Sequence, residues 1–346
     1  MRWAVVLAGG VGSRFWPVST ARRPKQLLPL AGDRPLVADA VARVLPLVPA
    51  ERVLVVTSRA LAPALARALP ELPAANILAE PFAASTAPAL AWATAVAARR
   101  DPEAVVLSLH ADWTVRDPGA FRAAAEAAFD LAATHDVVVT VGAHPTRAEV
   151  GYGYVVPGEP LPGTPARRIA EFAEKPSLER ALALIAAGAA WNTGLFAWTA
   201  RRFRAEAEAH TPELAAALPA LDRGDVEAFY RAVKPVSVDV GLFERTGRGA
   251  TLSADFGWDD VGSWAALARV READPAGNVS SGDAYAVDTR DSVLWSEDGT
   301  VVAYGVADLV IVRTAGITLV TTTERAAGLK RLLNALPAAL TGERGV

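Results

Sequence analysis

Short apolar runs that alternate with longer segments of helical periodicity constrain this chain more than any other feature. WAVVL (3–7), RVLVVTS (52–58), AVVLSL (104–109) and DVVVTVG (136–142) are separated by helix-period stretches at 36–47, 59–69, 84–99 and 119–134. Strands that are apolar on both faces belong in a parallel sheet covered by helices. Residues 1 to about 145 therefore predict a doubly wound α/β unit, with ligands held where loops leave the strand C-termini. A glycine-rich loop and His110-Ala111-Asp112 both fall at such ends.

Beyond Gly151 the pattern turns strand-like in GYGYVV, RRIAEFAEK and WNTGLFAW, with helical stretches near 177–187, 199–209, 211–221 and 224–233, which reads as a substrate-side extension of the same domain. DPAGNVSSGD (274–283) gathers Asp, Pro, Gly, Asn and Ser and marks a break. Short β-rich pieces follow (AYAVD, SVLWS, VVAYGV, DLVIVRT, ITLVTT), then an amphipathic helix around 324–339, without a strict repeat. The expected division is a catalytic domain over 1–273 and a small β-rich domain over 274–346 that ends in a helix.

Composition removes several classes of function. With no cysteine in the chain, disulfides, thiolate metal sites and a cysteine nucleophile are all excluded. WAVVLAGG runs into a glycine loop too early for a secretory apolar segment, so an intracellular, cytoplasmic protein is expected. The uncharged stretches 81–98 and 182–200 are rich in alanine and carry Pro81, Pro88, Gly188, Asn192 and Gly194, so they read as buried soluble segments and no membrane partner is expected. A formal net charge of −3 without a basic run argues against nucleic acid. Only four lysines, at 25, 175, 234 and 330, stand among 35 basic residues. A lysine retained in such a chain suits a crowded phosphate cluster, where a compact charge fits better than a planar fork.

LAGGVGSRFWP (7–17) follows the first strand and is dense in glycine, which lets backbone N–H groups approach an anion. It lacks the Gly-Lys-Ser/Thr ending of the common NTPase loop and the third glycine of a dinucleotide fingerprint. Taken alone, such glycines make an ordinary tight turn about as often as a ligand site. The continuation to Pro24-Lys25-Gln26 adds Lys25 to Arg14 beside the loop. The whole run LAGGVGSRFWPVSTARRPKQLLPL (7–30) closely resembles the opening of the mannose-1-phosphate guanylyltransferases, which are sugar-phosphate nucleotidyltransferases. That resemblance implies a Rossmann-like nucleotidyltransferase domain with a mostly parallel central sheet, plus the small β-rich C-terminal domain. It also implies that Leu7, Ala8, Gly9, Gly10, Gly12 and Ser13 hold the nucleoside triphosphate, while Arg14 and Lys25 neutralise the departing pyrophosphate.

Further segments follow in family order. Glu80, with Ser85 and Thr86, stands where the family reads the base; Ser85 replaces the usual Asn. A carboxylate suits guanine, whose N1–H and N2–H donors face it together, whereas adenine would present a lone pair. Asp112 and the Asp260 of FGWDDVGSW (256–264) are, by resemblance, the magnesium-binding carboxylates; Trp113 stands where His is usual. Two carboxylates with triphosphate oxygens and waters make the hard oxygen shell that Mg²⁺ requires. GYGYV, FAEKP and WNTGLF imply that Gly153, Glu174 and Asn192 bind sugar hydroxyls and that Lys175 meets the sugar phosphate. Read alone, Glu174-Lys175 is a surface ion pair and Asn192-Thr193-Gly194 a turn. Asp239 and Glu244 in PVSVDVGLFER match acidic family positions without an assigned role.

The resemblance is strong over residues 2 to about 270 and looser in the tail to about 330; longer relatives add an isomerase domain that this chain is expected to lack. The implied reaction transfers GMP from GTP to α-D-mannose 1-phosphate, with Mg²⁺ as cofactor and Arg14, Lys25, Asp112, Lys175 and Asp260 at the chemistry. Two alternatives stay open: another pairing of base and hexose, such as UTP with glucose 1-phosphate, and a catalytically silent regulatory homologue. The β-rich tail also offers a surface on which two copies could pair as a homodimer.

Overall fold

A computed structural model describes residues 1–10, 12–21 and 23–341. The chain divides into two compact units that interleave along the sequence: residues 1–9, 40–111 and 117–258 form one, and residues 10–39, 112–116 and 259 onward form the other. The glycine loop thus passes from the first unit to the second between Gly9 and Gly10.

The first unit is built on a nine-stranded sheet. Its order is Ile77–Glu80, Val53–Ser58, Arg2–Leu7, Val105–His110, Ala190–Thr199, Val138–Ala143, Gly249–Ser253, Arg167–Glu174 and Gly153–Pro160. The first four strands pair in parallel, as their two-faced apolarity requires. Val5, Val6, Leu54, Val55, Val106 and Leu107 are all fully buried. Helices Thr86–Arg100 and Pro118–His135 carry much of the burial, with Leu90, Ala93, Ala97, Phe121, Ala125 and Ala128 nearly inaccessible.

The second half of this sheet differs from a plain doubly wound unit. Ala190–Thr199 inserts between Val105–His110 and Val138–Ala143 and runs antiparallel to both. Leu195, Phe196, Ala197 and Trp198 are wholly buried, so a strand apolar on both faces takes the sheet centre although it comes late in the chain. The buried indole of Trp198 donates to Thr94 Oγ1 at 3.1 Å. The strand's first residues turn to pair with Gly153–Pro160 as well, after a register shift beside Gly142. That shift carries Asn192 to the sheet's C-terminal edge.

In the second unit, strands alternate between two small sheets. Val279–Ser281, Val293–Ser296 and Leu309–Thr314 stack in parallel in one, so that Val279 stands over Val293 and Val293 over Val310. Ala284–Val287 and Val301–Tyr304 pair in parallel in the other. Ile317–Thr322 closes the first sheet in antiparallel fashion. The repeat is therefore spatial, with coils of unequal length, which is why no sequence period announces it. Phe15, Trp16, Val18, Leu28 and Leu30 from the start of the chain share one core with Trp264, Val293, Trp295, Val310 and Val312. Trp264 donates from Nε1 to the Trp16 carbonyl at 3.0 Å and meets Phe15 and Trp295 edge to face. Arg271 donates to the carbonyls of Pro29, Leu30 and Gly32 at 2.7–2.9 Å. Among the described residues, no helix is long and apolar enough to cross a membrane.

Trp264→Ala removes a fully buried side chain and a buried hydrogen bond, and is expected to cost about 3–5 kcal/mol. Urea denaturation followed by far-UV circular dichroism checks it; a loss below about 1 kcal/mol, the usual range for a surface change, would show that this core does not anchor the loop.

Candidate active site

The glycine loop leaves the first strand under tight control. Leu7 and Ala8 are buried; Ala8 N–H donates to Val56 O at 2.8 Å, and Thr57 Oγ1 donates to Ala8 O at 3.0 Å. Gly9 is exposed and has open space on the side where a Cβ would stand. Gly10 (φ 87°) and Gly12 (φ 69°) lie in the left-handed region. Val11, between them, lies outside the described residues, as does Arg22 of the longer motif.

In the second unit, Gly12 precedes a short turn, Ser13–Phe15, that carries Arg14. A Cβ on Gly12 would stand 2.3 Å from Lys25 Cβ, so the glycine is what lets the loop and Lys25 approach each other. Lys25 opens its own short turn after Pro24 and is 5% exposed. Gln26, equally buried, donates from Nε2 to Gly10 O at 3.1 Å and fixes the loop from behind.

Lys25 Nζ lies 3.2 Å from Asp112 Oδ2 and 3.6 Å from Asp260 Oδ1. Asp112 directly precedes the strand Trp113–Val115, and Asp260 ends the strand Trp258–Asp260 that pairs with it. Burial, more than any other influence, pushes the Asp260 carboxyl above its ordinary range; Asp112 and Asp259 add to that, while Lys25 and Arg14 oppose it. Arg14 donates from Nη1 to Gly262 O at 3.5 Å, beside Asp260. Two carboxylates that converge on one ammonium have already gathered a cation, and their oxygens are the hard donors a small divalent ion prefers. Among the described residues there is no group of three metal-ligating side chains, so such an ion would take its remaining ligands from phosphate or water. Trp113 is 3% exposed and packs as a core residue.

In the first unit, Glu80 ends the strand Ile77–Glu80 and accepts from the Tyr230 hydroxyl at 2.9 Å. Burial raises the Glu80 carboxyl from 4.5 to about 7, against the lowering effect of that bond. Phe82, exposed, meets the Tyr230 ring edge to face. Ser85 precedes the helix Thr86–Arg100 with φ 71° and ψ −174°, a backbone region nearly reserved for glycine. Thr86 Oγ1 accepts from Val238 N–H at 2.8 Å and so ties the helix start to the segment before Asp239.

The residues expected to face a sugar gather in the same unit. Gly153 is buried between Glu174 and Asn192; a Cβ there would lie 2.7 Å from Glu174 Oε2 and 3.2 Å from Asn192 Cβ. Glu174 is ion-paired with Lys175, which is exposed and holds a left-handed backbone (φ 49°). The Glu174 N–H donates to Glu244 Oε1 at 3.0 Å. Asn192 donates from Nδ2 to Asp239 Oδ1 at 2.8 Å. Gly194 (φ 74°) faces His110, where a Cβ would meet the ring at 2.9 Å.

Sequence reasoning passed over Tyr230, which lies 150 positions from its partner Glu80, so no spacing could have connected them. Gln26 lies inside the run 7–30, but its amide bond to Gly10 leaves no mark in the sequence. Asp239 and Glu244 were marked as acidic, but their neighbours appear only in three dimensions.

Residues 3–277 match the nucleotidyl transferase family, and residues 282–336 match the MannoseP isomerase/GMP-like beta-helix domain. The chain is 36% identical to the mannose-1-phosphate guanylyltransferase ManC of Salmonella typhimurium (strain LT2), over 97% of this chain and 73% of that one. It has the same identity and coverage with the mannose-1-phosphate guanylyltransferase of Escherichia coli (strain K12). A crystal structure from Thermus thermophilus, described as a mannose-1-phosphate geranyltransferase, superposes with a TM-score of 0.89 at 34% identity, covering 96% of this chain and 98% of that one.

Gly12→Ala forces a left-handed alanine against Lys25 Cβ, and nucleoside triphosphate affinity is expected to fall by at least about tenfold, with both effects displacing the loop. Titration with a fluorescent nucleotide measures it; unchanged affinity would remove the loop from the binding site.

Proposed function

This chain belongs to the nucleotidyl transferase family, and on that premise we propose that it transfers GMP from GTP to α-D-mannose 1-phosphate, giving GDP-mannose and pyrophosphate. The observation that carries the reading is the buried Lys25 between Asp112 and Asp260, beside Arg14 and the glycine loop. The choice of guanine and mannose draws on the names of the relatives at 36% identity and on the carboxylate at Glu80. A geranyl group would call for an apolar cradle, whereas the side chains gathered here are charged and polar.

A phosphate oxygen of mannose 1-phosphate attacks the α-phosphorus of GTP in line, a new P–O bond forms, and the bond to the β-phosphate bridging oxygen breaks with release of pyrophosphate. A phosphate monoester with a second pKa of about 6 is already largely dianionic at neutral pH, so no general base is needed. Catalysis then rests on alignment and charge neutralisation. We assign Leu7, Ala8, Gly9, Gly10, Gly12 and Ser13 to the triphosphate, and Arg14 and Lys25 to the charge on the leaving pyrophosphate. Glu80, Ser85 and Thr86 take the base. Gly153, Glu174 and Asn192 take the hexose, with Lys175 on its phosphate. Asp112 and Asp260 would hold Mg²⁺, which supplies positive charge to the triphosphate oxygens. These residues all fall within 1–273, which we take as the catalytic portion, with 274–346 as the β-rich portion. We place the reaction in the cytoplasm, with GTP and mannose 1-phosphate as its partners.

Pyrophosphate release with each nucleoside triphosphate, against mannose and glucose 1-phosphates, tests the reading, and GTP with mannose 1-phosphate should give the highest kcat/KM. If UTP with glucose 1-phosphate exceeds it, the assignment of base and sugar fails. Lys25→Ala and Asp260→Ala should each lower kcat by about 100-fold or more, while far-UV circular dichroism stays unchanged. Near-normal turnover in either would remove that residue from the chemistry.

Guanine's donors bind the charged form of Glu80, and its carboxyl titrates near 7 in the free protein. Nucleotide binding therefore expels a proton, and GTP affinity should rise as pH increases through 7. Glu80→Gln should abolish that part of the pH dependence. A slope identical in the variant would show that Glu80 does not meet the base.

A further inference from the structure

Asp239 stands in the sugar-side cluster without a task in the reaction above. Its carboxylate accepts from the Asn192 side chain, at 2.8 Å from Nδ2 to Oδ1, and from its own backbone N–H. Asn192 is itself committed: its Oδ1 accepts from the Thr140 hydroxyl at 3.0 Å and from Gly194 N–H at 3.2 Å. An amide oxygen has two lone pairs and an amide nitrogen two hydrogens, so three of the four bonds available to Asn192 already go to the protein. The residue is 9% exposed, in keeping with a structural bracket.

The acceptor capacity left in this cluster belongs to carboxylates. Asp239 is half-buried, and its Oδ2 is hydrogen-bonded to no other side chain among the described residues. Glu174 lies beside Asn192 at Gly153, where a Cβ would stand 2.7 Å from Glu174 Oε2 and 3.2 Å from Asn192 Cβ, so only a glycine leaves both side chains in place. Burial and the neighbouring Glu174 push the Asp239 carboxyl above its usual range, with His110 and Lys175 pulling the other way. Two adjacent carboxylates in such a place are stabilised by donors that reach both. A hexose, with hydroxyls on neighbouring carbons, supplies two such donors side by side.

We infer that Asp239 and Glu174 form a carboxylate pair that accepts hydrogen bonds from neighbouring ring hydroxyls of the hexose, and that Asn192 is the positioning residue that aims Asp239. The inference rests on the sugar 1-phosphate reading above and changes the role of Asn192 within it. Hexoses that differ in the direction of one hydroxyl would be distinguished by whether that hydroxyl reaches the pair.

The test is a substrate and variant cycle. Asp239→Asn keeps a carbonyl oxygen to accept from Asn192 and replaces only the second acceptor with a donor. It should raise KM for mannose 1-phosphate by at least about tenfold and leave KM for GTP unchanged. Among 2-, 3- and 4-deoxymannose 1-phosphates, the analogue without the partner hydroxyl should be used equally well by wild type and variant, while the others keep the penalty. Asn192→Ala should raise the same KM and flatten the same pattern, again sparing GTP. An equal penalty on every analogue, or a raised KM for GTP, overturns the inference, because a merely structural carboxylate would act that way. Should the amide variant not fold, Asp239→Ser carries the same comparison. Wild type that releases no pyrophosphate with any sugar phosphate would sink the activity itself; an active wild type with an unaffected variant sinks only the carboxylate pair.

Discussion

A lysine ammonium held between two aspartates is the interaction around which the charged side chains of the second unit are arranged. Lys25 is buried, and a buried cation is tolerated only where anions compensate it. Asp112 and Asp260 supply that compensation from chain segments far apart in sequence, which meet where Trp113–Val115 pairs with Trp258–Asp260. The same cluster is poised for exchange of partners. In the proposed reaction, a triphosphate would give the lysine a new anion to face and leave the two carboxylates to a metal cation. In the proposed reaction one constellation thus serves the empty protein as an internal ion pair and the loaded one as the charge-handling centre.

What holds that constellation is an apolar core that sequence order does not suggest. Phe15 and Trp16, from the turn that bears Arg14, are buried against Trp264 and Trp295. The three carbonyls beyond Lys25 are tied to Arg271. The stacked strands from 279 onward therefore form the floor beneath the loop, and the loop's cationic side chains are positioned by packing behind them. Residues 10–39 accordingly belong to one compact unit with the C-terminal part of the chain.

The sugar-side cluster shows a different economy of polar groups. Asn192 reaches its place through a register shift at the sheet edge, and once there it uses its amide to connect Thr140, Gly194 and Asp239. A buried network is rigid when its members are satisfied. The acceptor capacity not used by that amide lies on Asp239 and on Glu174, which is ion-paired with Lys175.

The sequence by itself determined the parts whose chemistry is local. Two-faced apolar strands dictated the parallel half of the sheet, glycines at left-handed positions dictated the loop, and the contiguous run 7–30 with FGWDDVGSW marked Arg14, Lys25 and Asp260 as candidates. Tertiary structure alone decided what depends on distant segments meeting. Ala190–Thr199 reads as a strand in sequence, yet its antiparallel place at the sheet centre follows from burial of Phe196 and Trp198, and burial is non-directional: an apolar side chain specifies that it is covered, never by what. The same holds for the stacked strands under Phe15 and Trp16. Tyr230 beneath Glu80, Asn192 against Asp239, and Trp113 turned into the core were beyond sequence because a hydrogen bond or a packing contact leaves no periodic trace along the chain.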